Sequence, residues 1–134
     1  MTSIGNPLNN RQPTTMEKFR FLNWKVYQEA KQLLSLILKI VGKLPKEYRF
    51  ELGSQIIKSA FSIVLNIAEG SGKTSDKELN RFIEIALGSV HETLSGADVL
   101  RDNQLISDEE FKEIYSRLDS VSNQLGGFKK KLDK

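Results

Sequence analysis

Between Asn23 and Leu44, the residues Tyr27, Ala30, Leu34, Ile37, Val41 and Leu44 follow one another in steps of three and four, and Leu33, Leu36 and Ile40 widen the stripe they make. That spacing predicts an amphipathic helix over about 23–43, closed by Gly42 and Pro45. Ile56, Ile57, Ala60, Ile63, Val64, Ile67 and Ala68 repeat at the same period and predict a second helix over about 49–69, stopped by Gly70. Ser75-Asp76-Lys77-Glu78 reads as a capping box, with the serine hydroxyl accepting from the glutamate N–H and the carboxylate reaching back to the serine N–H. It opens a third helix over about 75–103, whose inward stripe is Leu79, Phe82, Ile83, Ala86, Val90, Leu94, Ala97 and Leu100. A second box, Ser107-Asp108-Glu109-Glu110, opens a fourth helix over about 107–133. Phe111, Ile114, Leu118, Val121, Leu125, Phe128 and Leu132 carry that helix, and only Gly126 and Gly127 weaken it, by about 1 kcal/mol each relative to alanine. No strand and no internal repeat is expected.

Short links between long helices make sequential helices antiparallel neighbours, so the expected fold is all-α: an antiparallel up-down-up-down four-helix bundle over residues 21–134. Residues 1–20 are expected to form a flexible tail, because Met1 to Thr15 hold Gly5, Pro7, Pro13 and too few apolar side chains to offset the entropy of ordering. At 134 residues the chain fits one domain that needs no metal or disulfide. The absence of cysteine removes thiol nucleophiles and thiolate metal sites and is compatible with a reducing cytoplasm, the expected location. No apolar run approaches the roughly 20 residues of a membrane span, so no membrane partner is expected. A net charge of +3 and a pI near 9.1 permit a nucleic-acid partner without demanding one.

Gly70-Ser71-Gly72-Lys73-Thr74 resembles the end of a nucleotide-binding phosphate loop. The fuller motif needs a glycine where Ile67 stands and a strand leading in, whereas a helix leads in here. The segment therefore reads as a helix stop followed by a polar turn. His91 shares a stripe with Glu84 and Asp98, but seven residues are about 10 Å of helical rise, so the three cannot hold one ion without ligands from elsewhere. With one histidine and no cysteine, no nucleophile and base pair can be assembled, and the carboxylate pair Glu109 and Glu113 reads as solvated. Catalytic residues, metal ligands, cofactors and a small-molecule substrate are therefore not expected. Glu69, in the last turn of its helix, is opposed by the helix dipole and is expected to form a turn lock with Asn66. Two cationic groups remain: Lys58, Lys73, Lys77 and Arg81 around the turn, and Lys129, Lys130, Lys131 and Lys134 at the C-terminus. Clustered cations attract phosphate by counterion release, which makes both groups candidate nucleic-acid contacts.

Leu44-Pro45-Lys46-Glu47, Phe50, Leu52, Ser54-Gln55-Ile56, Ala60, Ser62-Ile63 and Asn66-Ile67-Ala68-Glu69-Gly70 together resemble the four-helix-bundle proteins encoded within intervening sequences of bacterial 23S rRNA genes. Arg81-Phe82, Ile85-Ala86, Gly88-Ser89 and Glu92 fit the same pattern downstream, as do Phe21, Trp24, Val26, Tyr27 and Ala30 upstream. The likeness covers about Phe21 to Leu132, with Trp24, Tyr27 and Val64 departing from the residues most members carry. It makes Asn66, Glu69 and Gly70 a family motif at a structural turn. It implies a homo-oligomer, a pentamer in some members, with a link to RNA and no enzymatic activity. The architecture is also similar to accessory proteins of diversity-generating retroelements, which makes the role of a reverse-transcriptase accessory subunit an alternative. A protein–protein interaction scaffold without a nucleic-acid role is another.

Overall fold

The computed structural model describes residues 18–132. The expected tail at residues 1–17, together with Asp133 and Lys134, lies outside the described residues. The four long helices are α1 (Lys25–Gly42), α2 (Ser54–Ser71), α3 (Asp76–Asp102) and α4 (Asp108–Leu132). Consecutive helices pack on one another and α4 closes on α1, so the described residues form an antiparallel up-down-up-down bundle with no strand. No helix among them is long and apolar enough to cross a membrane. The core is aliphatic: Leu33 and Ile37 of α1, Ile63 of α2, Leu100 of α3, and Ile114, Leu118 and Leu125 of α4 are all fully buried.

Helix α1 begins at Lys25 instead of Asn23, because Arg20–Asn23 fold into a 3-10 turn and Trp24 is extended, with φ −72° and ψ 131°. Gln28 Nε2 donates to the Leu22 carbonyl, which fastens that turn to the helix behind it. Arg20, which falls in the expected tail, is therefore part of the folded unit.

The larger difference lies before α2. An α-helical turn, Lys46–Tyr48, runs into a π-helical turn, Arg49–Gly53, before regular α geometry starts at Ser54. Gly53 is buried, and a Cβ there would stand 2.6 Å from Val41 Cγ1, so a side chain at this position would push α2 away from α1. Ser54 Oγ donates back to the Phe50 carbonyl within this turn, and Arg49 Nε donates to the Leu44 carbonyl at 2.9 Å, which ties the turn to the chain just past the end of α1. The extra residue carries Phe50 outward to 77% exposure.

Helix α3 ends where Gln104, at φ 59°, turns the chain in the left-handed region. The Leu105 N–H then closes on the Leu100 carbonyl and the Gln104 N–H on the Arg101 carbonyl, both at 2.9 Å, a Schellman-type stop. The capping box that opens α4 is complete: Glu110 N–H donates to Ser107 Oγ at 3.0 Å and Ser107 N–H to Glu110 Oε1 at 2.9 Å. The box at Ser75 is half formed. Glu78 N–H donates to Ser75 Oγ at 3.1 Å, but the Glu78 carboxylate turns to Arg81 at 3.5 Å instead of returning to the Ser75 N–H.

Candidate nucleic-acid interface

In an up-down-up-down bundle, the start of α1, the end of α2, the start of α3 and the end of α4 share one end. Lys73 follows α2, Lys77 and Arg81 lie in the first turns of α3, and Lys129, Lys130 and Lys131 are in the last turn of α4. Two groups about fifty residues apart in sequence thus converge on one surface. The ion pair between Lys129 Nζ and Glu84 Oε2, at 3.1 Å, joins the end of α4 to the first third of α3. On the α1 side, Trp24 stacks against Phe128 with ring centroids 5.3 Å apart, and the Arg20 guanidinium lies 5.9 Å from the Trp24 ring. Arg20 and Lys25 therefore join this cationic end, which only the topology reveals.

Lys73 and Arg81 share one aromatic base. Lys73 Nζ lies 5.0 Å and the Arg81 guanidinium 4.6 Å from the Phe82 ring, distances at which the ring face attracts cations. Phe82 is buried, so this base is fixed in the core. Lys58 does not belong to the cluster. It lies thirteen residues before the end of α2 at Ser71, about 20 Å of helical rise away.

The turn itself is built for packing. Helix α2 continues one residue past Gly70, and no left-handed glycine ends it: the cap residue Gly72 has φ −89° and ψ 0°. Gly70 is buried because a Cβ there would stand 3.0 Å from Phe82 Cβ and 3.1 Å from Leu79 Cδ1, so its lack of a side chain lets α3 approach. The helix stop expected at Gly70 is therefore a close-packing glycine. The Gly72 N–H donates to the Glu69 carbonyl at 3.2 Å and the Lys73 N–H to the Gly70 carbonyl at 3.1 Å. With those amides engaged and a helix leading in, the turn lacks the converging N–H groups of a phosphate loop.

Asn66 does not lock Glu69. Its Nδ2 donates back along α2 to the Ser62 carbonyl at 2.8 Å and to Ser62 Oγ at 3.1 Å, while the Glu69 side chain is exposed. Asn66 instead ends a line of polar contacts that the apolar stripes conceal. Ser62 and Ser89 share a hydrogen bond at 2.8 Å, as do the buried hydroxyls of Ser59 and Thr93, and Thr93 Oγ1 donates to the Ser89 carbonyl at 2.8 Å. These small side chains let α2 and α3 pack closely while leaving the hydroxyls paired.

His91 Nδ1 lies 2.9 Å from the Leu87 carbonyl, Asp98 pairs with Arg101 at 2.9 Å and Glu84 with Lys129, so the three members of that stripe are engaged separately. Among the described residues no group of acidic and histidine side chains is arranged to hold a metal ion.

The fold is that of a small all-helical bundle, a form shared with a crystal structure of a protein of unknown function from the S23 ribosomal protein family of Bacteroides thetaiotaomicron VPI-5482. The two agree in fold with a TM-score of 0.74 at 23% identity, over 78% of this chain and 98% of that one. The family model of the 23S rRNA-intervening sequence protein matches residues 22–127, and the chain belongs to that family. No curated protein matches it in sequence.

Proposed function

We propose that the protein is a non-catalytic, homo-oligomeric bundle that binds RNA or a ribonucleoprotein through its cationic end. The observation that carries this reading is the convergence of Lys73, Lys77 and Arg81 with Lys129, Lys130 and Lys131 on one end of the bundle. Only Glu69, Asp76, Glu78 and Glu84 oppose them from α2 and α3 at that end. The opposite end sets Glu47, Glu51, Asp102, Asp108, Glu109 and Glu110 against Lys43, Lys46, Arg49 and Arg101, so it is close to charge balance and the excess of cations lies at the Lys73 end. Such a patch contacts phosphates without reading bases, so binding should be shape- or strand-directed and steeply salt-dependent. Membership of the rRNA intervening-sequence family makes RNA the favoured polyanion, and a cytoplasmic location belongs to the same reading.

Fluorescence anisotropy with a structured RNA, titrated between low and physiological salt, tests this. The expected result is binding whose logarithm falls linearly with the logarithm of salt, and which Lys73→Glu with Lys77→Glu weakens at least tenfold without changing the native mass. No binding at low salt would remove the RNA reading.

A protein-binding scaffold is the second reading. It is favoured by one observation: Phe61 and Leu65, large apolar side chains on α2, are 46% and 49% exposed.

A further inference from the structure

The core-facing stripes of α2 and α3 leave each helix with a second stripe that no other described element covers. On α2, Lys58, Phe61 and Leu65 follow one another in steps of three and four and face away from Ile56, Ala60, Ile63 and Ile67. Lys58 is the sole charged residue between Glu51 and Glu69. On α3, Ile85, Glu92 and Val99 recur at intervals of seven, and Ile85 and Val99 are 40% and 44% exposed. Gly88 stands between the first two, where a Cβ would meet nothing within 4 Å. Neither Lys58 nor Glu92 has an ion-pair partner among the described residues.

We infer that the exposed stripe of α2 in one copy packs on the exposed stripe of α3 in the next, with Lys58 paired to Glu92 and Leu65 seated on the apolar residues beside it. The molecule carries both halves of this contact. Each stripe is apolar with one charge, at the end of the α2 stripe and in the middle of the α3 stripe, and the two charges are opposite. From Lys58 to Leu65 is seven residues, as from Glu92 to Ile85 or to Val99, so the ion pair and the apolar contact are each about 10 Å apart along their helices. A seven-residue repeat suits such a helix–helix seam, and a charge pair within it sets the register. Because the two stripes lie on different helices, the contact is heterologous and leaves a free stripe of each kind on every added copy until a ring closes. Lys58 then belongs to the subunit contact and not to the phosphate surface. This inference rests on the homo-oligomeric part of the proposed function and adds the surfaces that make it.

Native mass against concentration, measured on the full chain by light scattering and sedimentation, tests the contact. Lys58→Glu and Glu92→Lys are each expected to weaken self-association at least tenfold, and the double reversal to restore it to within about threefold of the wild type. Leu65→Asp is expected to give a monomer that retains the wild-type helical circular dichroism. The contact is overturned if both single reversals leave the mass unchanged, or if the double reversal associates no better than either single. Should a reversal fail to fold, Lys58→Gln and Glu92→Gln carry the same comparison, and unchanged association in both is equally decisive against it. A wild type that is monomeric at every concentration removes the homo-oligomer and this contact together, whereas an oligomer indifferent to Lys58 and Glu92 removes the contact alone. RNA binding per protomer should survive Lys58→Glu; its loss at constant native mass would return Lys58 to the phosphate surface and overturn the pairing.

Discussion

Gly70 of α2 lies against Phe82 of α3 so closely that a Cβ on the glycine would stand 3.0 Å from the Cβ of the phenylalanine. Because Phe82 Cβ is anchored directly to the α3 backbone, the clash cannot be relieved by a side-chain rotation. Gly70→Ala gains about 1 kcal/mol of helix propensity but forces the two helices apart at a cost of about 2–3 kcal/mol. A net loss of about 1–2 kcal/mol is expected in urea unfolding, together with a shift in the Phe82 environment that carries Lys73 and Arg81.

Lys43 Nζ donates to Glu110 Oε2 at 2.7 Å, tying the end of α1 to the first turn of α4. This bond, helped by the Ser107 N–H, holds the Glu110 carboxyl below the ordinary value of 4.5. A depressed carboxyl stabilises the fold above its ordinary value, and that stability is lost as pH falls through the lowered one. Thermal melts from pH 6 down to pH 3 should therefore show a steeper decline in wild type than in Glu110→Gln. The variant keeps the cap acceptor but should lose about 0.5–1 kcal/mol at pH 7.

The buried Ser59 and Thr93 hydroxyls, 2.8 Å apart, should be energetically coupled. Ser59→Ala or Thr93→Val alone leaves one hydroxyl with fewer partners, at about 1–2 kcal/mol each. The double substitution should cost about 1 kcal/mol less than the sum of the singles, as read from a denaturant double-mutant cycle.

Backbone geometry makes three substitutions stabilising. A Cβ at Gly126 or Gly127 would meet nothing within 4 Å, so Gly126→Ala and Gly127→Ala should each raise stability by up to about 1 kcal/mol. Gln104 sits at φ 59°, where Gly carries no Cβ penalty, and Gln104→Gly should raise the melting temperature by a few degrees.

The four helices could be read from the chain because burial on one face repeats every three or four residues, as Ile114, Leu118, Val121 and Leu125 do in α4. The π turn could not. One extra residue at Arg49–Gly53 alters the register by less than the width of the apolar stripe, and the close approach of Gly53 to Val41 that accompanies it joins residues of different elements. The hydroxyl line from Ser59 to Asn66 is not legible in the chain, because serine is common on exposed helix faces and only the neighbouring helix covers these serines. Proximity in sequence placed Lys58 with Lys73, yet helical rise separates them, while the bundle topology joins Lys73 to Lys129 across more than fifty residues.

The polarity of charge along the bundle acquires a further meaning if copies close into a ring. With the bundles running along a single rotation axis, every protomer points the same way, so the cationic ends would all lie on one side and the nearly charge-balanced ends on the other. The assembly would then be a plate with two unlike sides. A strand held by one protomer would face the neighbouring patches at millimolar effective concentration, and weak phosphate contacts would add up to firm attachment on that side alone.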